Sequence, residues 1–166
     1  QALLPDGNIT VSMGTYPTQR VVHVVPVKDM NGTTLLTFRV SDGTNSASVS
    51  TTLRVTAVND APSFELNDNY ANISAVVGQS YSQQVIASVS KGGVDEAKQL
   101  LTYVITNNNP GIFVTQPKIS ADGILTFKAK AKGTAVLTVG LKDSGGTLNS
   151  GVNQYSGTAT ITITVQ

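Results

Sequence analysis

The sequence predicts an all-β fold: antiparallel β-sandwiches in tandem, the first of them incomplete. Three observations carry this. Apolar residues recur at every second position along most of the chain. The composition is 40% hydrophobic but only 5% aromatic and 13% charged, about half the usual charged share of a soluble domain, with Thr, Ser, Val, Asn and Gly filling the gap as strands and tight turns require. And one strand pattern occurs twice.

The elements follow in chain order. VVHVVPV (21–27) reads as a strand. In TTLLTFRVSD (33–42), Leu36, Phe38 and Val40 fall on one face and Thr37, Arg39 and Ser41 on the other, the pattern of a half-buried strand. SASVSTTLRVTAV (46–58) continues it with Val49, Leu53 and Val55 inward. VDEAKQLL (94–101) is the one helical candidate, and it is too short to stand as a helix alone. ILTFKAKAK (124–132) sets Leu125, Phe127 and Ala129 inside and Lys128 and Lys130 in water. TAVLTVGLKD (134–143) sets Leu137, Val139 and Leu141 inside, and TATITITVQ (158–166) sets Ile161, Ile163 and Val165 inside.

NGTTLLTFRVSDG and KGTAVLTVGLKDSGG share a Gly-Thr start and an Asp at the strand end, and Gly32 to Asp42 spans the same distance as Gly133 to Asp143. This is an internal repeat. The second copy has a long stretch ahead of it, starting at Ala61, whereas the first has a short one. Residues 61–166 therefore read as a complete sandwich, and residues 1–60 as the C-terminal part of another. An Ig-like sandwich needs about seven strands, and residues 1–60 supply about four. Such a half leaves an exposed edge and an exposed apolar face, so the chain reads as a piece of something larger, or as one whose missing strands a neighbouring subunit donates.

Several function classes are disfavoured by composition. Net charge is +1, so no electrostatic footprint for nucleic acid or an anionic membrane is present. No apolar run approaches the ~20 residues of a membrane span, and QALLPDGN has no basic leader region. There is no cysteine, hence no disulfide, thiolate zinc site or thiol nucleophile. His23 is the single histidine, no Gly-x-Ser-x-Gly turn occurs, and the two glutamates, Glu65 and Glu96, form no recognisable acid pair. The expectation is no enzyme, no nucleic acid and no membrane insertion.

TAVNDAPSF (56–64) separates the two parts. It has a purely conformational reading: Pro62 biases Ala61 away from helix and withholds a ladder donor, while Asn and Asp bond their own backbone in turns. It also carries a resemblance. SDGTNSASVSTTLRVTAVNDAPSF resembles the end of a bacterial cadherin-like tandem repeat, in which an Asp-Gly turn precedes a last strand and the linker VNDAP; it is similar in turn to the animal cadherin linker DxNDNxP. DEAKQLLTYVITNNNPGIFV and LKDSGGT resemble an Ig-like repeat of large bacterial surface proteins.

The resemblance implies calcium at the seam between repeats. Carried over residue by residue, the ligand positions are Asn59 and Asp60 in the linker, Asp29 in an upstream loop, Asp95 with Glu96 beside it, and Asp143 at the end of a late strand. The chain departs from the pattern where Val58 precedes Asn59, where Asn31 replaces a glutamate, and where VVGQSY lacks an acidic residue. A reduced set implies fewer ions or weak binding, ~10⁻⁴ to 10⁻³ M as in other extracellular modules.

The expected function is a non-enzymatic extracellular structural or adhesion module, a stalk repeat of a large bacterial surface protein. Its partners would be neighbouring repeats or identical chains, with a cell-surface or polysaccharide ligand beyond them. The alternative is a subunit of an extracellular filament or sheath whose first domain is completed by a neighbour's strands. A weaker one is a carbohydrate-binding module stacking sugars on tyrosines such as Tyr16, Tyr70, Tyr81, Tyr103 and Tyr155.

Overall fold

The computed structural model describes residues 2–155 and 157–166. The chain divides into two compact units, Gln1–Ala57 with Gly93–Asp95, and Val58–Gly92 with Glu96–Gln166.

The first unit is two antiparallel hairpins. Strands β1 (Ile9–Met13) and β2 (Arg20–Val24) pair with Ile9 opposite Val24 and Val11 opposite Val22. Strands β3 (Gly32–Ser41) and β4 (Ser46–Val55) pair along their whole length, with Phe38 opposite Val49 and Val40 opposite Ala47. The polar face of that hairpin is tied by Thr37 and Ser50, whose hydroxyls are 2.8 Å apart, and by Arg39 donating to Ser46 at 3.0 Å. Its turn is built from Asp42, whose Oδ1 accepts the backbone N–H of Thr44 at 2.9 Å and of Asn45 at 2.6 Å, while Gly43 takes φ 98°, a conformation glycine adopts without a Cβ clash. The Asn45 and Thr44 N–H groups, in that order of weight, hold the Asp42 carboxyl below its ordinary value of 3.8.

Leu36, Phe38 and Val40 share a face as their spacing requires, but the face opens to solvent. Val40 is 70% exposed and Val49, expected inward, is 65% exposed. The reason is the lack of a partner: the buried apolar residues of the described chain all belong to the second unit, from Phe64 onward. Instead, Ile9, Val11 and Val22 of one hairpin and Leu36, Phe38 and Val49 of the other line an open groove of about 810 Å³.

Among its described residues the second unit adds nine strands: β5 (Ser63–Leu66), β6 (Asn72–Ala75), β7 (Ser80–Gln84), β8 (Ile86–Ser90), β9 (Leu101–Asn107), β10 (Phe113–Ile119), β11 (Ile124–Ala129), β12 (Gly133–Asp143) and β13 (Ala159–Val165). They form sheets ordered β10-β11-β7, β6-β13-β12-β9 and β5-β8. All neighbours are antiparallel except β6, which runs parallel to β13. VDEAKQLL contributes a single 3-10 turn at Val94–Glu96.

Alternation here delivers a closed core. Leu125 and Phe127 from β11, Leu137, Val139 and Leu141 from β12, and Ile161 and Ile163 from β13 are 0–2% exposed, each burial contributing about 1.5–3 kcal/mol. Tyr81 stacks on Phe127 at 4.7 Å and Phe113 meets its edge at 5.4 Å; Phe64 receives Tyr103 and Tyr155 edge-on at 5.7 and 5.2 Å. Burial raises the hydroxyl pKa of Tyr103, and burial together with Tyr70 raises that of Tyr81. Tyr70, Tyr81, Tyr103 and Tyr155 are thus packed against the core, leaving Tyr16, 68% exposed, as the open ring.

Candidate functional site at the linker root

The linker TAVNDAPSF is not a solvated tether. From Val58 it belongs to the second unit, where Pro62 is fully buried and Asn59 only 9% exposed. Its residues are fastened one by one.

Asn59 grips Val152 with both its backbone and its side chain. Its backbone oxygen accepts from Val152 N at 2.8 Å, and its side-chain Nδ2 donates to Val152 O at 2.7 Å. Nδ2 also donates to Asp143 Oδ1 at 3.0 Å, and Oδ1 of Asn59 accepts from Gln99 Nε2 at 2.6 Å. A backbone carbonyl can only accept, so the Asn59 atom facing Val152 must be the amide nitrogen. Asp60 is held through its main chain, its N–H donating to Glu96 Oε1 at 2.7 Å. Asp60 as a residue is exposed.

Asp143 ends β12 facing inward, at 9% exposure. Beyond Asn59, its Oδ1 accepts from Gly145 N at 2.8 Å. Its Oδ2 has no hydrogen-bond partner among the described residues, nor has Gln99 Oε1. A buried, unpartnered carboxylate oxygen demands a donor, a water or a cation, because leaving it bare costs about 1–3 kcal/mol or more.

Three glycines give the cluster its room. A Cβ on Gly145 would collide with the Asn59 side chain, and one on Gly151 would lie 2.9 Å from Asn59 N. A Cβ on Gly92, which takes φ 114°, would strike Glu96 and sit 2.9 Å from Asp60 O.

Of the six residues the resemblance singles out, the structure brings four together in the second unit: Asn59 with Asp143, and Asp60 with Glu96. The other two lie in the first unit. Asp29 sits at φ 56° beside Lys28 Nζ at 3.5 Å. Asp95 groups with the first unit, and its Oδ2 accepts from Asn31 Nδ2 at 2.6 Å. Gln99, the Val152 carbonyl and the three glycines are members of the cluster that the sequence did not single out. A Ser-Gly-Gly turn after Asp143 is the one signal that pointed toward them.

Calcium asks for six to eight oxygens. Among the described residues the buried side-chain oxygens without a partner are Asp143 Oδ2 and Gln99 Oε1, and no group of three or more His, Cys, Asp or Glu stands close enough to hold a metal. Two such oxygens fall short of the six to eight that calcium needs.

No protein-family model matches the chain, and no curated protein does. In fold it is similar to tandem cadherin repeats. The crystal structure of human protocadherin-24 EC1-2 superposes with a TM-score of 0.56 at 17% identity, covering 96% of this chain and 76% of that one. Its form II gives 0.56 at 19% identity, covering 98% and 79%. Mouse protocadherin-24 EC1-3 gives 0.55 at 19% identity, covering 95% of this chain and 51% of that one, so this chain spans about half its length. Identity this low speaks for the fold: all-β, of the tandem cadherin-like kind.

Proposed function

We propose that the chain is a non-enzymatic, extracellular structural module, a stalk repeat of a large bacterial surface protein that works in adhesion by holding length and stiffness. The observation that carries this reading is the linker itself. VNDAP is built into the second unit through Asn59, Asp60 and Pro62, so the root of the linker is fixed to the sandwich that follows it. Its partners on this reading are neighbouring repeats and, at the end of the stalk, a cell-surface or polysaccharide ligand. Calcium is the ion the reading implies, with stiffening as its effect; the carboxylates of Asp60, Glu96 and Asp143 are what this unit would lend to it, and among the described residues they form no three-acid site of their own. Titration calorimetry, beside an Asp60→Ala variant, tests the ion: calcium-linked heat and a raised melting temperature in the parent, both weakened in the variant. No heat and no shift remove calcium from the proposal.

The groove of the first unit favours a second reading, a filament or sheath subunit that accepts a neighbour's strands between its hairpins. Sedimentation of the isolated chain separates the two. A monomer at all concentrations supports the stalk; concentration-dependent assembly that Val40→Glu abolishes supports the filament.

A further inference from the structure

We infer that Asn59 is a metal-independent lock, a positioning residue that fastens the linker root by donating hydrogen bonds and does not coordinate an ion. Asn59 presents N–H groups, not oxygen, to the two acceptors in front of it, Asp143 Oδ1 and Val152 O. The Val152 carbonyl fixes that orientation, because turning the amide over would set two oxygens face to face. Its remaining oxygen is already taken by Gln99 Nε2. With Val152 N donating back to Asn59 O at 2.8 Å, the residue joins the linker to the end of β12 and to the loop at Val152, contacts 84 and 93 positions away in sequence. Gly145 and Gly151 leave space for this one side chain.

The amide also does an electrostatic job. Among the described residues no cation lies within ion-pair distance of Asp143, and the Asn59 and Gly145 N–H dipoles are what its Oδ1 has for compensation. An ion would supply that compensation from outside; here the chain supplies it to Oδ1 itself. The inference goes beyond the stalk reading and does not rest on it, since calcium can bind through other oxygens with the lock intact.

The test compares the parent chain with Asn59→Ala and Asn59→Asp, melted in chelator and in excess calcium. Loss of a buried hydrogen bond to a charged group corresponds to a drop of about 10 °C for a domain of this size. Asn59→Ala is expected to fall by that much equally in chelator and in calcium. Asn59→Asp, which sets a second carboxylate against Asp143 and the Val152 carbonyl, is expected to fall at least as far, unrepaired by calcium. A ligand role predicts the opposite: Asn59→Ala neutral in chelator, and Asn59→Asp binding calcium more tightly and melting above the parent in it. Either of those results overturns the lock. If the variants do not fold, exchange of the Asn59 side-chain amide protons on the parent chain decides: slowed exchange in chelator supports the lock, and free exchange there overturns it.

Discussion

Val40 and Leu141 occupy the same place in the two copies of the repeat, eight residues after Gly32 and Gly133, yet truncating them to alanine should have very different costs. Leu141 is 0% exposed and Val40 is 70% exposed. Leu141→Ala removes three carbons from a closed core. At about 0.8 kcal/mol per buried methylene the transfer loss is about 2.4 kcal/mol, and the cavity left behind brings the total to about 3–4 kcal/mol. Val40→Ala removes two carbons of which less than a third is out of water, so the expected loss is about 0.5 kcal/mol, with no cavity to add. A two-unit chain need not unfold in one step, so the assay is a denaturant titration followed by methyl NMR, reading each unit from its own residues. A loss of about 1.5 kcal/mol or more in the first unit of Val40→Ala would refute the reasoning, because only a covered face pays that much. It would also show that in solution the hairpins of the first unit are closed by something.

Two further outcomes follow from local geometry. Gly145→Ala drives a methyl group into the Asn59 side chain and should destabilise the second unit by about 1–3 kcal/mol, the usual cost of overpacking, read as a lowered urea midpoint; an unchanged midpoint would mean the linker root yields freely. The Asp42 carboxyl, held below 3.8 by the Asn45 and Thr44 N–H groups, stabilises the β3–β4 turn above its unfolded value and loses that contribution as pH falls through the lower folded value; an NMR titration of its side chain should place the midpoint below 3.8, and Asp42→Asn should erase the turn's acid sensitivity.

Much of the fold was legible in the chain because alternation is a local property. A β backbone sends successive side chains to opposite faces, so Leu137, Val139 and Leu141 declared a common face from their spacing, as did Leu36, Phe38 and Val40. Spacing says nothing of what lies across from that face. The first triplet lies inside the closed core of the second unit, and the second opens on a groove. The same limit governs the site. VNDAP marked the linker, and the acidic residues near it could be named by likeness. That Asn59 donates to partners 84 and 93 residues away, that Gln99 completes the cluster, and that Asp95 groups apart from Glu96 were decided in the tertiary structure alone. Hydrogen-bond direction and burial depend on atoms brought from distant segments, and no local pattern carries that information.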